Sequence, residues 1–175
     1  TTPITDTDSL RDAVRMWCDN ATDAEGTYGH ISTWDTSGVT DMSYLFSPYG
    51  GYCSIEGGFN EDLSAWNVSG VEDMSWMFYD AGSFNGNISS WDVRKVKTMR
   101  RMFKGAYSFD QALCWDIQED VDLGEFPSSI EWIFRDSEGS FDATCITNNK
   151  NFKLKAMVIA WCDNATDAEA TYGHI

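Results

Sequence analysis

The chain has 175 residues with 12 Lys and Arg against 28 Asp and Glu, a formal charge of −16, and 8 Trp, 10 Phe and 7 Tyr to fill a core. That charge repels phosphate backbones and anionic lipid, so nucleic-acid and membrane-surface binding are excluded as expectations, while cationic partners, calcium among them, stay open. No run approaches the ~20 apolar residues that span a bilayer, and no basic segment followed by an apolar one opens the chain; an export signal is expected upstream of Thr1.

Residues 1–9 read as a linker. Residues 10–30 read as a capping helix and loop, with Leu10, Ala13, Val14, Trp17 and Cys18 on one helical face and Asp8 or Ser9 as N-cap. The text "WCDNATDAEGTYGHI" at 17–31 returns at 161–175 with Ala170 in place of Gly26, and Leu154, Met157, Val158, Trp161 and Cys162 repeat the stripe at an offset of 144 residues. The parent is therefore expected to be a tandem array of such modules. Residues 149–175 are expected to form the C-terminal cap helix, equivalent to the start of the next module.

Between the two copies lies a shorter repeat, expected to occupy residues 31–148 as about four coils and a stub. "FNEDLSAWNVSGVEDMSWMF" (59–78) aligns without gaps on "FNGNISSWDVRKVKTMRRMF" (84–103), a step of 25 residues. Earlier and later copies place Trp34, Trp66, Trp91 and Trp115 at one position and Phe46, Phe78, Phe103 and Phe134 at another. Leu63, Trp66 and Val68 follow a leucine-rich-repeat strand spacing, and Val71, Met74, Met77 and Phe78 follow a helical one. The expected fold is thus an α/β repeat solenoid, leucine-rich-repeat-like, with a short strand and a short helix per coil and a capping helix at each end.

The unit resembles the BspA-like leucine-rich repeat of mycoplasma lipoproteins and other surface proteins, F-N-x-D-I-S-x-W-D-V-S-x-V-x-x-M-x-x-M-F, over about residues 31–146. Thr36 departs from it, standing where an apolar residue follows Trp34-Asp35. The resemblance implies cell-surface display, adhesion or ligand binding, and no enzymatic activity.

Asp35, Asn67, Asp92 and Asp116 each follow a core Trp, so they form a ladder that either caps turns through backbone N–H bonds or binds calcium. A second ladder, Asn60, Asn85, Asp110 and Asp142, follows each Phe and reads as structural. The insertion "SPYGGYCSIEGG" (47–58) carries Tyr49 and Tyr52 on a glycine-rich loop, the candidate site for surface glycans or proteins, or else a disulfide-anchored flap. Asn20, Asn67 and Asn87 sit in glycosylation sequons.

Five cysteines become an even set per module when Cys162 is counted with the next one. Cys18 is expected to bond to Cys53 and Cys114 to Cys145, with Cys162 free; the rival is five reduced thiols in a cytosolic protein. His30 and His174 are the two histidines, and no phosphate loop, H-E-x-x-H, C-x-x-C or calcium loop occurs. No catalytic, cofactor or metal residues are assigned. The expected function is a non-enzymatic extracellular tandem-repeat module for adhesion or filament structure, contacting adjacent modules of its own chain, without membrane insertion in this stretch. The alternative is a carbohydrate-active or metal-dependent enzyme on the same scaffold.

Overall fold

The computed structural model describes residues 1–54, 58–118, 120–123 and 129–142. In chain order these form α1 (Thr7–Asp19), α2 (Ala21–Tyr28), a 3-10 turn (Ile31–Thr33), β1 (Ala112–Leu113), α3 (Ser129–Phe134) and β2 (Ser140–Phe141). β1 and β2 pair in parallel, Ala112 opposite Ser140 and Leu113 opposite Phe141. The second cap helix, at 149–175, and with it Cys145 and Cys162, lies outside the described residues.

The helix expected from residue 10 starts earlier and is broken. Asp6 caps α1, its carboxylate accepting from the Ser9 N–H at 2.9 Å while the Ser9 hydroxyl oxygen accepts from the Asp6 N–H at 3.0 Å. Asn20 then ends α1 and caps α2, its side chain accepting from the Thr22 and Asp23 N–H groups. An Asn that satisfies the free donors of a new helix turns one helix into two. Leu10, Ala13, Val14 and Trp17 form the buried face of α1.

The leucine-rich-repeat solenoid expected from the spacing is overturned. Among the described residues the copies with Trp34, Trp66 and Trp91 carry neither a strand at the Leu-Trp-Val position nor an α-helix at Val-Met-Met-Phe. The copy with Trp115 alone has a two-residue strand at its Leu, Ala112–Leu113, and a helix at its Phe, Ser129–Phe134, and the strands present are the single pair of two residues each. Where the strand was expected, the chain turns: the Trp66 N–H donates to the Leu63 carbonyl at 3.1 Å and the Val71 N–H to Val68 at 2.9 Å. Where the helix was expected, alternate residues bond sideways. The N–H groups of Met74, Trp76, Phe78 and Asp80 donate to the carbonyls of Thr98, Arg100, Met102 and Lys104 at 2.8–3.0 Å. Between them, Met77, Tyr79 and Ala81 donate to the carbonyl three residues back. An i, i+3 spacing of apolar side chains therefore arises from successive tight turns, a pattern that a helix also produces.

These sideways bonds fix the register. Single parallel bridges join Asp41 to Asp73, Asp73 to Thr98, and Thr98 to Asp122. The aromatic core stacks along the same direction: Phe46, Phe78, Phe103 and Phe134 follow one another at 5.3–5.5 Å, and Phe59, Phe84 and Phe109 at 6.0–6.1 Å beside them. All are buried, as are Met42, Met74, Met77, Met99 and Met102.

Tryptophan holds its position for a reason that leucine could not meet. The indole N–H of Trp66 donates to the Ile31 carbonyl at 2.8 Å, that of Trp91 to Leu63 at 3.0 Å, and that of Trp115 to Ile88 at 3.1 Å. The side chain thereby bonds a carbonyl of the preceding segment. Thr36 is fully buried as well, its hydroxyl donating to the Asn67 carbonyl of the following segment at 2.9 Å. Trp91→Phe removes packing and one of the two bonds to the Leu63 carbonyl, which keeps the Trp66 N–H, so equilibrium urea unfolding should show a loss of about 1–3 kcal/mol; a loss under ~0.5 kcal/mol would contradict this role.

Candidate functional site

The inserted loop is held at its base and shaped by glycine. Cys53 is bonded to Cys18 of α1, with Cα atoms 5.2 Å apart, the pair expected from the sequence. A Cβ at Gly50 would run into the Tyr44 carbonyl, so the chain passes that point only as glycine. Cys114 is also disulfide-bonded.

The loop separates its two tyrosines. Tyr49 stands 71% exposed, its ring 5.6 Å from that of Tyr79, and the Asp80 carboxylate beside it raises the Tyr49 phenol above its ordinary pKa. Tyr52 is half-buried against the core, under Arg11 and Arg15 at 5.3 and 5.5 Å. Together with Arg11, Ser43, Tyr44 and Gly50 they line an open groove of about 410 Å³. Arg11 is anchored there by Asp41 at 2.9 Å and Ser43 at 3.3 Å. Burial works against the Asp41 charge, but bonds from the Ser43 side chain and N–H and the Arg11 cation outweigh it, so its carboxyl sits below the ordinary value.

The carboxylate ladder caps turns. Asp35, Asn67 and Asp92 accept the N–H groups of Ser37, Ser69 and Arg94 at 3.0, 3.1 and 3.2 Å. Asp116 occupies the equivalent place after Trp115, half-buried. Among the described residues no group of three or more His, Cys, Asp or Glu is placed to hold a metal ion. Arg94 also grips Asp92 with two nitrogens, at 2.8 and 2.6 Å, and that bond holds its carboxyl down at about 2. The second ladder ties segments together: the Asn85 N–H donates to the Asn60 side chain and the Asn85 amide to Asp110, each at 2.8 Å.

The sequons differ in what their asparagines do. The Asn20 amide is taken up by its helix, donating to Asp23 at 2.8 Å. Asn67 and Asn87 are exposed, and each carbonyl oxygen accepts both the N–H and the hydroxyl of the sequon serine. His30 caps the 3-10 turn and meets the edge of Trp17 at 5.0 Å.

A feature the motif reading passes over is a row of left-handed residues. Tyr44, Trp76 and Arg101, the third residues of equivalent turns, have φ of 58°, 55° and 52°. The rings of Tyr44 and Trp76 stack at 5.0 Å and 7°, and Arg101 lies 5.3 Å over the ring of Trp132. The signal was present in the sequence: the pairs Ser43-Tyr44, Ser75-Trp76 and Arg100-Arg101 fill the variable places between the two conserved-spacing apolar residues of each copy.

A family model described as Mycoplasma protein of unknown function, DUF285, matches residues 14–131. No curated protein and no solved structure matches the chain.

Asn67 accepts the turn N–H in one segment as Asp92 does in the next, so the acceptor oxygen caps the turn and the Asp92 charge adds the Arg94 bond. Asp92→Asn should cost about 0.5–1 kcal/mol, the exposed pair being screened, and Asp92→Ala about 1–2 kcal/mol. Because the folded carboxyl titrates below its ordinary 3.8, at about 2, its contribution is complete above pH ~4 and lost as pH falls toward 2. Side-chain NMR titration should place Asp92 near 2; a midpoint at 3.8 would refute the Arg94 grip.

Proposed function

We propose, for a chain that belongs to the DUF285 family, a non-enzymatic extracellular module for cell-surface adhesion or for filament or matrix structure. The likeness of its repeat to BspA-like surface proteins supports display outside the cell. The Cys18–Cys53 disulfide supports it independently, since such bonds persist in oxidising compartments. Surface glycans or proteins are the ligands this reading carries, and adjacent modules of the same chain its structural partners.

The observation that carries the reading is Tyr49, a large apolar side chain left 71% exposed on a loop whose base is covalently fixed. A rigidly mounted exposed aromatic contributes contact area at little entropic cost when a partner covers it. Tyr52 supports the loop from beneath, and its removal acts on the mounting.

Adhesion of beads coated with the protein to cultured epithelial cells is the test. Tyr49→Ala should weaken adhesion by about ten-fold or more while leaving thermal unfolding unchanged, since the residue buries little in the free protein. Unchanged adhesion of the Tyr49→Ala protein would remove the loop from the binding surface.

A further inference from the structure

Five of the 12 Lys and Arg in this acidic chain lie over aromatic rings on one side of the molecule. Arg11 and Arg15 cover Tyr52, and Arg101, Lys104 and Arg135 cover Trp132 at 5.3, 5.5 and 4.3 Å. Lys104 also lies 5.4 Å over Tyr79. The Tyr44–Trp76 stack and the Tyr49–Tyr79 contact connect the two groups, and the sideways bonds of Tyr44 and Trp76 bring Tyr44, Trp76 and Arg101 into one row. The result is a strip that crosses the repeat segments.

Its charges are not all spent. Arg11 is paired with Asp41 and Arg15 with Asp12, whereas Arg101 and Lys104 make no ion pair among the described residues. Arg135 reaches Asp136 only at 3.9 Å. Tyr44 and Trp76 stack face to face along the row, at 5.0 Å and 7°.

The row also stands under strain. A left-handed backbone suits glycine, and a bulky side chain there costs of order 1 kcal/mol. The turn requires positive φ at Tyr44, Trp76 and Arg101, yet it requires neither a ring nor a guanidinium. Three large side chains held at that cost are accounted for by what they present outward.

We propose that this strip binds an anionic polysaccharide, with its chain running across the repeat segments. A saccharide unit is comparable in length to the ~4.8 Å spacing of paired segments, so successive units can meet successive rows. The chain as a whole, at −16, disfavours a densely charged polymer and selects one whose carboxylates or sulfates are spaced among hydroxyls. Asp80 and Asp136, at equivalent left-handed turn positions beside the strip, supply acceptors for those hydroxyls. The inference rests on the adhesion reading and names its ligand class.

Calorimetric titration of the intact chain with hyaluronan, dextran sulfate and neutral dextran tests it. Hyaluronan binding marks a carboxylate as the recognised group and dextran sulfate binding a sulfate; either supports the proposal, provided that binding weakens as NaCl rises and dextran does not bind. Arg101→Gly and Lys104→Gln should each weaken binding about ten-fold. Arg101→Gly should keep or raise the melting temperature, because it relieves the left-handed strain, which separates lost binding from lost folding. Binding of neither charged polymer, equal binding of dextran, or full binding by the double variant would each overturn the proposal. Concentration-dependent self-association that the double variant abolishes would assign the strip to a second copy of the chain and overturn it also. If both charged polymers fail while Tyr49-dependent adhesion persists, the ligand class falls and the adhesion reading stands.

Discussion

The structure depends on a division of labour among backbone N–H groups. In residues 74–81, every second N–H donates to the neighbouring segment and those of Met77, Tyr79 and Ala81 close tight turns within their own. Neither set alone would suffice. Turns without sideways bonds would leave each segment free to slide, and sideways bonds without turns would give long extended strands in place of a chain that folds back every few residues. The alternation forces left-handed φ at Tyr44, Trp76 and Asp80, at Arg101 and Gly105, and at Asp136. Gly105 meets the constraint without a side chain, at φ 73°.

Packing follows from that register. Because equivalent residues lie side by side, each Phe meets the Phe of the next segment and each core Trp can lend its N–H to the segment before it. The first segment has no predecessor, and α1 supplies one. Trp17 closes the Trp row edge-on at 5.9 Å from Trp34, whose indole N–H turns to the Gly29 carbonyl at 2.9 Å. The same helix carries Cys18 and Arg11, so the element that covers the end of the core also mounts the loop and anchors one side of the groove. Core and groove are thereby mechanically joined, and the left-handed turns that pack Phe46 and Phe78 inward place Tyr44 and Trp76 in one row.

Much of this was legible in the residues. The period of 25, the one-sided stripe of Leu10, Val14 and Trp17, the turn-capping carboxylates at Asp35 and Asp92 and the pairing of Cys18 with Cys53 all follow from spacing and elementary chemistry. The secondary structure did not follow. Val71, Met74, Met77 and Phe78 satisfy a helical period, and successive turns satisfy it equally well; only the destination of the N–H groups distinguishes them, and that is a property of neighbouring segments. The strand at Leu63-x-x-Trp66 failed for a related reason, because the indole bonds the preceding segment where a strand would have used its backbone. The Asn20 sequon follows a helix, as its sequence position suggests, and its side chain also starts a second one. The strip was missed because its residues occupy the positions a motif leaves open.

The alternation of N–H partners is directly measurable through scalar couplings across hydrogen bonds in an isotope-labelled sample. The account predicts couplings from the Trp76 amide to the Arg100 carbonyl, from Phe78 to Met102 and from Asp80 to Lys104. Couplings from these amides to carbonyls four residues earlier in their own segment would restore the helix that the sequence period suggests, and would contradict it.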